Sequence, residues 1–281
     1  MESQLEKIRE QQKQSWNKFS PGWKKWDEFN MAFLHPMGEA IIKQLSITET
    51  DHVLDIATGT GEPGLTIAAL ATQGKVTGTD LAEGMLEVAQ QNAKEKGLPN
   101  YETLTADAGE LPFSDDSFDA ISCRMGFMFF PDMQQAANEM YRVLKPGGRI
   151  AVSVWGNPAH NDWVNTIMSV IKKHIEIPPP APGSPGMFRC AAPNLMSDLF
   201  KQAGFKNIEE ATITDKAAYK TFDQYWEIML DVGAPIVAAM AGATEETVAA
   251  IRTETAALFK SKNPGGGAEL CYDALIISGV K

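Results

Sequence analysis

Cysteine, histidine and basic charge are all scarce in this chain. Its three cysteines, Cys123, Cys190 and Cys271, are odd in number and far apart among 281 residues. They make neither a disulfide framework nor a CxxC metal pair, so no metal is expected and a reducing, cytoplasmic setting is. Lys and Arg total 25 against 36 Asp and Glu, for a formal charge of −11. Such a surface repels phosphate backbones and anionic lipid. The densest basic stretch, Lys18 to Lys25, is interleaved with aromatics and followed by Asp27 and Glu28. Neither a nucleic-acid nor a membrane partner is therefore expected. No apolar run approaches the roughly 18 residues of a membrane span, and Met1 to Gln14 lacks the apolar centre of a signal peptide. What is present is 44% hydrophobic and 22% charged residues, enough for a substantial core. At about 150 residues per domain, the length predicts two domains or one enlarged one.

Residues 1–50 read as helical. Trp16 and Phe19, then Trp23, Trp26, Phe29 and Phe33, recur at steps of three and four, with Ser20-Pro21-Gly22 as an expected break and a further helix from Pro36 to Leu45. From His52 the texture changes. Strands are expected at 53–56, 75–79, 101–106, 118–123 and 149–155, with helices at 63–72, 82–96 and 133–144 between them. This alternation predicts βαβ units: an α/β fold with a doubly wound, mainly parallel sheet and helices on both faces. Beyond it come a helix at 159–177, a stiff proline-rich crossing at 178–186, a helix at 194–203, and strands at 206–214 and 274–280. Residues 215–267 read as helical.

The strongest chemical signal is Val53-Leu54-Asp55-Ile56-Ala57-Thr58-Gly59-Thr60-Gly61, a strand entering a Gly-rich turn, followed by a second strand ending at Asp80. A glycine turn at a strand's carboxyl end lets a ligand approach the backbone. An acid at the end of the next strand accepts hydrogen bonds from ribose hydroxyls. Gly59, Gly61 and Gly64 also satisfy the dinucleotide spacing. Asp55 argues against that, because a carboxylate beside the turn would repel a pyrophosphate yet complement an ammonium and a sulfonium.

Further motifs follow in order: Thr77-Gly78-Thr79-Asp80-Leu81 with Gly84-Met85-Leu86, Asp107-Ala108-Gly109-Glu110-Leu111-Pro112-Phe113, Ser117-Phe118-Asp119, Phe129-Phe130-Pro131-Asp132, and Arg142 through Gly148. Together these resemble the class I S-adenosylmethionine-dependent methyltransferases, in the branch around the ubiquinone and menaquinone methyltransferases. The resemblance is dense over 51–155 and looser over 16–50. Its one departure is Ala57, where much of the superfamily has glycine. It implies a Rossmann-like, seven-stranded sheet with a helical lid, and S-adenosyl-L-methionine as cofactor. It implies too that Asp55 and the backbone of Ala57, Thr58, Gly59 and Gly61 face the methionine part. Asp80 would take the ribose, Leu81 or Met85 the adenine face, Asp107 the adenine amino group, and Ala108 would donate to the ring. Arg124 and Met125 would stand near the sulfonium.

Methyl transfer from a sulfonium is an in-line displacement, so alignment in a dry pocket is the main requirement. A base is needed only if the acceptor must lose a proton. His160, just past the fifth strand, and His35, among the N-terminal aromatics, are the candidate bases. The aromatic residues of the N-terminal helices and of the loops beyond the sheet predict an apolar cleft for a small, apolar or aromatic acceptor. The division expected is an N-terminal helical lid at 1–50, a methyltransferase core at 51–214 and 268–281, and a helical lid insertion at 215–267. The alternatives are a nicotinamide-dependent oxidoreductase, or a cofactor-binding module that transfers no methyl group.

Overall fold

A computed structural model describes residues 4–179, 181, 183–262, 265 and 267–281. Pro180 and Pro182 of the proline-rich crossing, Met1 to Ser3 of the N-terminal segment, and Asn263, Pro264 and Gly266 of the insertion lie outside them. Five strands, β1 (His52–Ile56), β2 (Lys75–Asp80), β3 (Tyr101–Thr105), β4 (Phe118–Arg124) and β5 (Leu144–Trp155), run parallel. Two more, β6 (Lys206–Tyr219) and β7 (Ala268–Val280), complete a seven-stranded sheet in the order β3-β2-β1-β4-β5-β7-β6. β7 is antiparallel to both neighbours. Strand order reverses between β1 and β4, which opens a crevice at their carboxyl ends.

The helices are α1 (Gln4–Lys25), α2 (Asp27–Leu45), α3 (Gly64–Leu70), α4 (Glu83–Glu95), α5 (Met133–Val143), α6 (Asp162–His174), α7 (Leu195–Ala203), α8 (Phe222–Val232), α9 (Ala234–Met240) and α10 (Glu245–Lys262). Central strands are buried on both faces and read as apolar runs, Val53-Leu54 and Ile150 to Val154 among them. The buried side chains form two clusters. The larger joins β4, β5 and β7 to α5, α6 and α7; the smaller packs α2, α3 and α4 on β1 and β2.

Three expectations need correction. Ser20-Pro21-Gly22 does not break the N-terminal helix, and Pro36 lies inside α2. A proline at position 21 cannot donate to the Asn17 carbonyl; the Ser20 hydroxyl does so instead, at 3.0 Å. Residues 215–219 are strand, not helix, and β7 begins at Ala268, so the β6–β7 pair is longer, at the end that leads into the insertion, than the expected boundaries. Ala217 and Tyr219 are buried there while Lys216 and Ala218 are exposed, a period of two too short to stand out in sequence. Past β5 the chain makes a turn at 158–160 before α6 starts.

That turn is anchored by Asn161, which is fully buried. Its Nδ2 donates to Asn157 O at 2.8 Å and Asp273 O at 3.3 Å, while its Oδ1 accepts from Trp163 Nε1 at 3.1 Å. Removing one side of a buried network strands the other. Asn161→Ala is expected to lower unfolding free energy by about 2–3 kcal/mol, read as a lower urea midpoint at unchanged slope.

Candidate functional site

The turn after β1 is shaped from beneath by Asp55. Its side chain is wholly buried and accepts hydrogen bonds from Thr58 Oγ1 at 2.5 Å, Ser122 Oγ on β4 at 2.6 Å, and the Gly64 amide at the start of α3 at 3.2 Å. Tyr101 from β3 donates to Thr58 Oγ1 at 2.9 Å. Burial pushes the Asp55 carboxyl up to about 6, against the pull of the Ser122 and Thr58 hydroxyls and the Arg124 charge. The turn above it is left-handed at Ala57 (φ 53°) and Gly59 (φ 55°).

Ala57 carries a methyl group where the turn meets the segment after β4. A Cβ on Gly126 would fall 2.4 Å from the Ala57 Cβ. The two positions therefore share room for one methyl group.

On the next strands, Asp80 ends β2 and accepts from the Gly59 amide at 3.0 Å and the Ala82 amide at 2.9 Å. Asp107 follows β3; its Oδ1 accepts from the Gly109 amide at 2.8 Å and its Oδ2 is ion-paired with Arg9. Leu81 is half-buried, while Met85 and Ala108 are buried. Arg124 and Met125 end β4 and begin its loop, Met125 with φ 58° and its amide donating to Ser153 O at 3.0 Å. Every cofactor residue expected from sequence thus lies at one edge of the sheet, across β1, β2, β3 and β4.

A domain family described as a methyltransferase domain matches residues 53–148. A demethylmenaquinone methyltransferase of Listeria monocytogenes is 31% identical over 208 residues, covering 68% of this chain and 85% of that one. The chain belongs to the class I S-adenosylmethionine-dependent methyltransferases, on the branch of the demethylmenaquinone enzymes. The methyltransferase also shares 45% identity over 100 residues with a demethylmenaquinone methyltransferase of Thermus thermophilus, 36% of this chain and 45% of that one. Its fold matches that of the YcgJ protein of Bacillus subtilis with a TM-score of 0.59 at 22% identity, over 88% of this chain and 98% of the other. Membership fixes the activity as S-adenosylmethionine-dependent methyl transfer and removes the nicotinamide alternative.

Two elements of the methyltransferase cover this edge. α1 crosses it through Arg9 on Asp107, Lys13 on Glu83 at 2.7 Å, and Asn17, whose Oδ1 accepts from the Gly84 amide at 2.9 Å. α8 meets the α1–α2 junction at Asp231, which accepts from Lys25 Nζ and Trp26 Nε1, each at 2.8 Å. Aromatic rings continue the cover. Phe33 lies 5.7 Å from Trp155, 5.3 Å from Trp163 and 5.1 Å from Tyr272; Phe29 is 5.1 Å from Tyr219; Trp16 is 5.2 Å from Phe129.

The candidate bases are not brought together. His35 projects outward from α2, 67% exposed, beside Glu39 at 3.2 Å. His160 stands over β7, its Nδ1 3.5 Å from Asp273 Oδ2. β7 is two strands, about 10 Å, from β4. His160 and Asp273 instead border a cleft of about 470 Å³ with Glu210, Thr212 and Thr214. The cysteines are free, Cys123 and Cys190 buried; burial raises the Cys190 thiol to about 12. Among the described residues no group of three or more His, Cys, Asp or Glu could hold a metal ion.

Sequence reasoning missed Arg9, Asn17, Ser122 and Asp231. Each acts on a residue 67 or more positions away, through a pairing that no local pattern announces. Asp132, by contrast, acts locally as the N-cap of α5, its side chain accepting from the Gln135 amide at 2.9 Å.

Two outcomes follow. Gly126→Ala is expected to destabilise by about 1–3 kcal/mol, and adding Ala57→Gly to restore most of it, a rescue readable in denaturant midpoints. For Asp55 the folded carboxyl is raised above its unfolded value, so it is protonated first in the native state. Its charged-form penalty of up to about 3 kcal/mol is absent below about pH 4 and grows as pH rises through 6. Unfolding free energies of wild type and Asp55→Asn are expected to differ in slope across that window, the wild type falling more steeply as pH rises.

Proposed function

We propose that this methyltransferase passes the methyl group to a small apolar or aromatic acceptor, held between α1, α2 and the aromatic residues that follow β4 and β5. The carrying observation is the run of rings from Phe29 and Phe33 to Trp155, Trp163 and Tyr272, beside the strand ends where the cofactor residues lie. The demethylmenaquinone named for the relatives supports an acceptor of this kind. Net acidity supports the absence of a nucleic-acid partner, and the three free cysteines support a cytoplasmic setting. No helix of the described residues is long and apolar enough to cross a membrane.

The donor set suits the cofactor. Asp80 ends β2 and Asp107 follows the adjacent parallel β3, an arrangement that supports one carboxylate at the ribose and one at the adenine of a single adenosine. Asp80 would accept from the ribose hydroxyls with the lone pairs left by Gly59 and Ala82. Asp107 would take the adenine amino group once Arg9 shifts, with Ala108 donating to the ring and Leu81 and Met85 against its face. The backbone from Ala57 to Gly61 would hold the methionine part, and Arg124 and Met125 would border the sulfonium. Asp55 acts from below, setting the shape of the turn. When bound, S-adenosylmethionine supplies an electrophilic methyl group. The rings exclude water and align the acceptor, which is the larger part of such catalysis. On this reading α1 and α2 are one lid and α8 to α10 the other, joined at Asp231.

Asp80→Ala is expected to weaken S-adenosylhomocysteine about 10- to 100-fold by calorimetry. Unchanged affinity would remove the residue from the site. In a screen for S-adenosylhomocysteine release, small aromatic compounds are expected to turn over; methylation of macromolecules alone would contradict the proposed acceptor.

A further inference from the structure

Hydrogen-bond donors without partners gather where the α1–α2 pair meets the end of β4. Arg124 carries five N–H donors, yet makes two long contacts only, Nη1 to Leu34 O at 3.5 Å and Nη2 to Met31 Sδ at 3.7 Å. No ion pair of the described residues includes it. Asp27, Asp55 and Glu62 act on it from a distance, partly offsetting the burial that lowers its pKa. Asn30, one helical turn before Leu34, is 3% exposed, and its Nδ2 donates to nothing. Trp23 Nε1 is buried and equally unpartnered.

Trp23, Asn30 and Leu34, whose carbonyl Arg124 reaches, share one helix face. The Trp26 amide donates to Gly22 O at 3.0 Å and the Asn30 amide to Trp26 O at 2.8 Å, so the helical phase continues from α1 into α2. Positions 23, 30 and 34 then line up at helical spacing. Trp23 packs 6.2 Å from Trp16, which itself meets Phe129 just beyond β4. Unmade buried donors are costly. The two unpaired atoms are both N–H groups, and Arg124 has donors to spare beyond its two long contacts, so what would complete the set is an oxygen with lone pairs, and a guanidinium prefers one that is charged and planar.

We propose that Arg124, with Asn30 and Trp23, is the receptor for an oxyanion, a carboxylate or an ionised hydroxyl, on a ligand bound at the β1–β4 edge. This rests on the methyltransferase reading. Two ligands can supply that group: the cofactor, through its α-carboxylate, and the acceptor, through an acidic oxygen. An acceptor bound already ionised has given its proton to water beforehand and needs no base in the site. That is consistent with the outward-facing His35 and the distant His160.

The test pairs ligands that differ in the anion. S-adenosylhomocysteine is compared with 5′-methylthioadenosine, which keeps the adenosine and lacks the carboxylate. On protein saturated with S-adenosylhomocysteine, 2-naphthoate is compared with 2-naphthamide. Arg124→Gln is expected to weaken one anionic ligand by roughly 10- to 100-fold and to leave its neutral counterpart within about twofold. Loss of S-adenosylhomocysteine alone assigns the receptor to the cofactor; loss of naphthoate alone assigns it to the acceptor. Asn30→Leu is expected to weaken the same ligand while holding or raising Tm, because it removes an orphaned donor, an outcome that a structural role for Asn30 would not give. Binding of 5′-methylthioadenosine reports that each variant is folded. Anionic and neutral partners changing equally, or neither changing, would overturn the proposal. Failure of the wild type to bind S-adenosylhomocysteine would instead overturn the methyltransferase reading beneath it.

Discussion

One buried carboxylate ties together the parts on which the site depends. Asp55 sits where β1 ends, and its oxygens accept from Thr58 in the turn, Ser122 on β4 and Gly64 at the head of α3. A charge in that position is tolerated because each of its near neighbours donates to it, and even so burial lifts its pKa to about 6. With the turn held from below, its upper backbone is free to meet a ligand. The Gly59 amide points instead to Asp80, so the first and second strands are coupled through the same few residues.

Around this fixed edge the rest of the chain supplies a cover. α1 is held to the core by side chains reaching Asp107, Glu83 and Gly84, and α8 is held to the α1–α2 junction through Asp231. Burial pushes the Asp231 carboxyl up, but the Lys25 and Trp26 donors outweigh it and leave it below the usual range. The Lys13–Glu83 and Lys25–Asp231 pairs of α1 are a third to a half exposed, and pairs open to water hold weakly. A cover fixed by such contacts can open for a ligand without unfolding the sheet.

How much of this was legible in the sequence differs by region. Strands β1 to β5 and their helices could be read because central parallel strands are continuous apolar runs closed by glycine or aspartate. Asp80 and Asp107 could be read because they stand at strand ends in motifs of known spacing. The extension of β6 and β7 was hidden, since an edge pair with one wet face mixes Thr, Asp, Lys and Ala in a pattern that helices also show. The continuity of α1 through Pro21 was hidden too, because it depends on Ser20 replacing the missing donor at Asn17 O. His35 was read as a candidate base from its place among the aromatics, but its own position on α2 faces outward. The unpaired donors of Asn30 and Trp23 and the thinly bonded guanidinium of Arg124 depend on what does not reach them, which no linear pattern carries.

The central claim is that methyl transfer takes place at the β1–β4 edge beneath the aromatic cover. A crystal structure with S-adenosylhomocysteine bound tests it most directly. The account predicts adenosine between Asp80 and Asp107, and a sulfur over the ends of β1 and β4 facing the space beside Phe33 and Trp155. A sulfur directed to open solvent, or a ligand seated in the cleft beside His160 and Asp273, would contradict it.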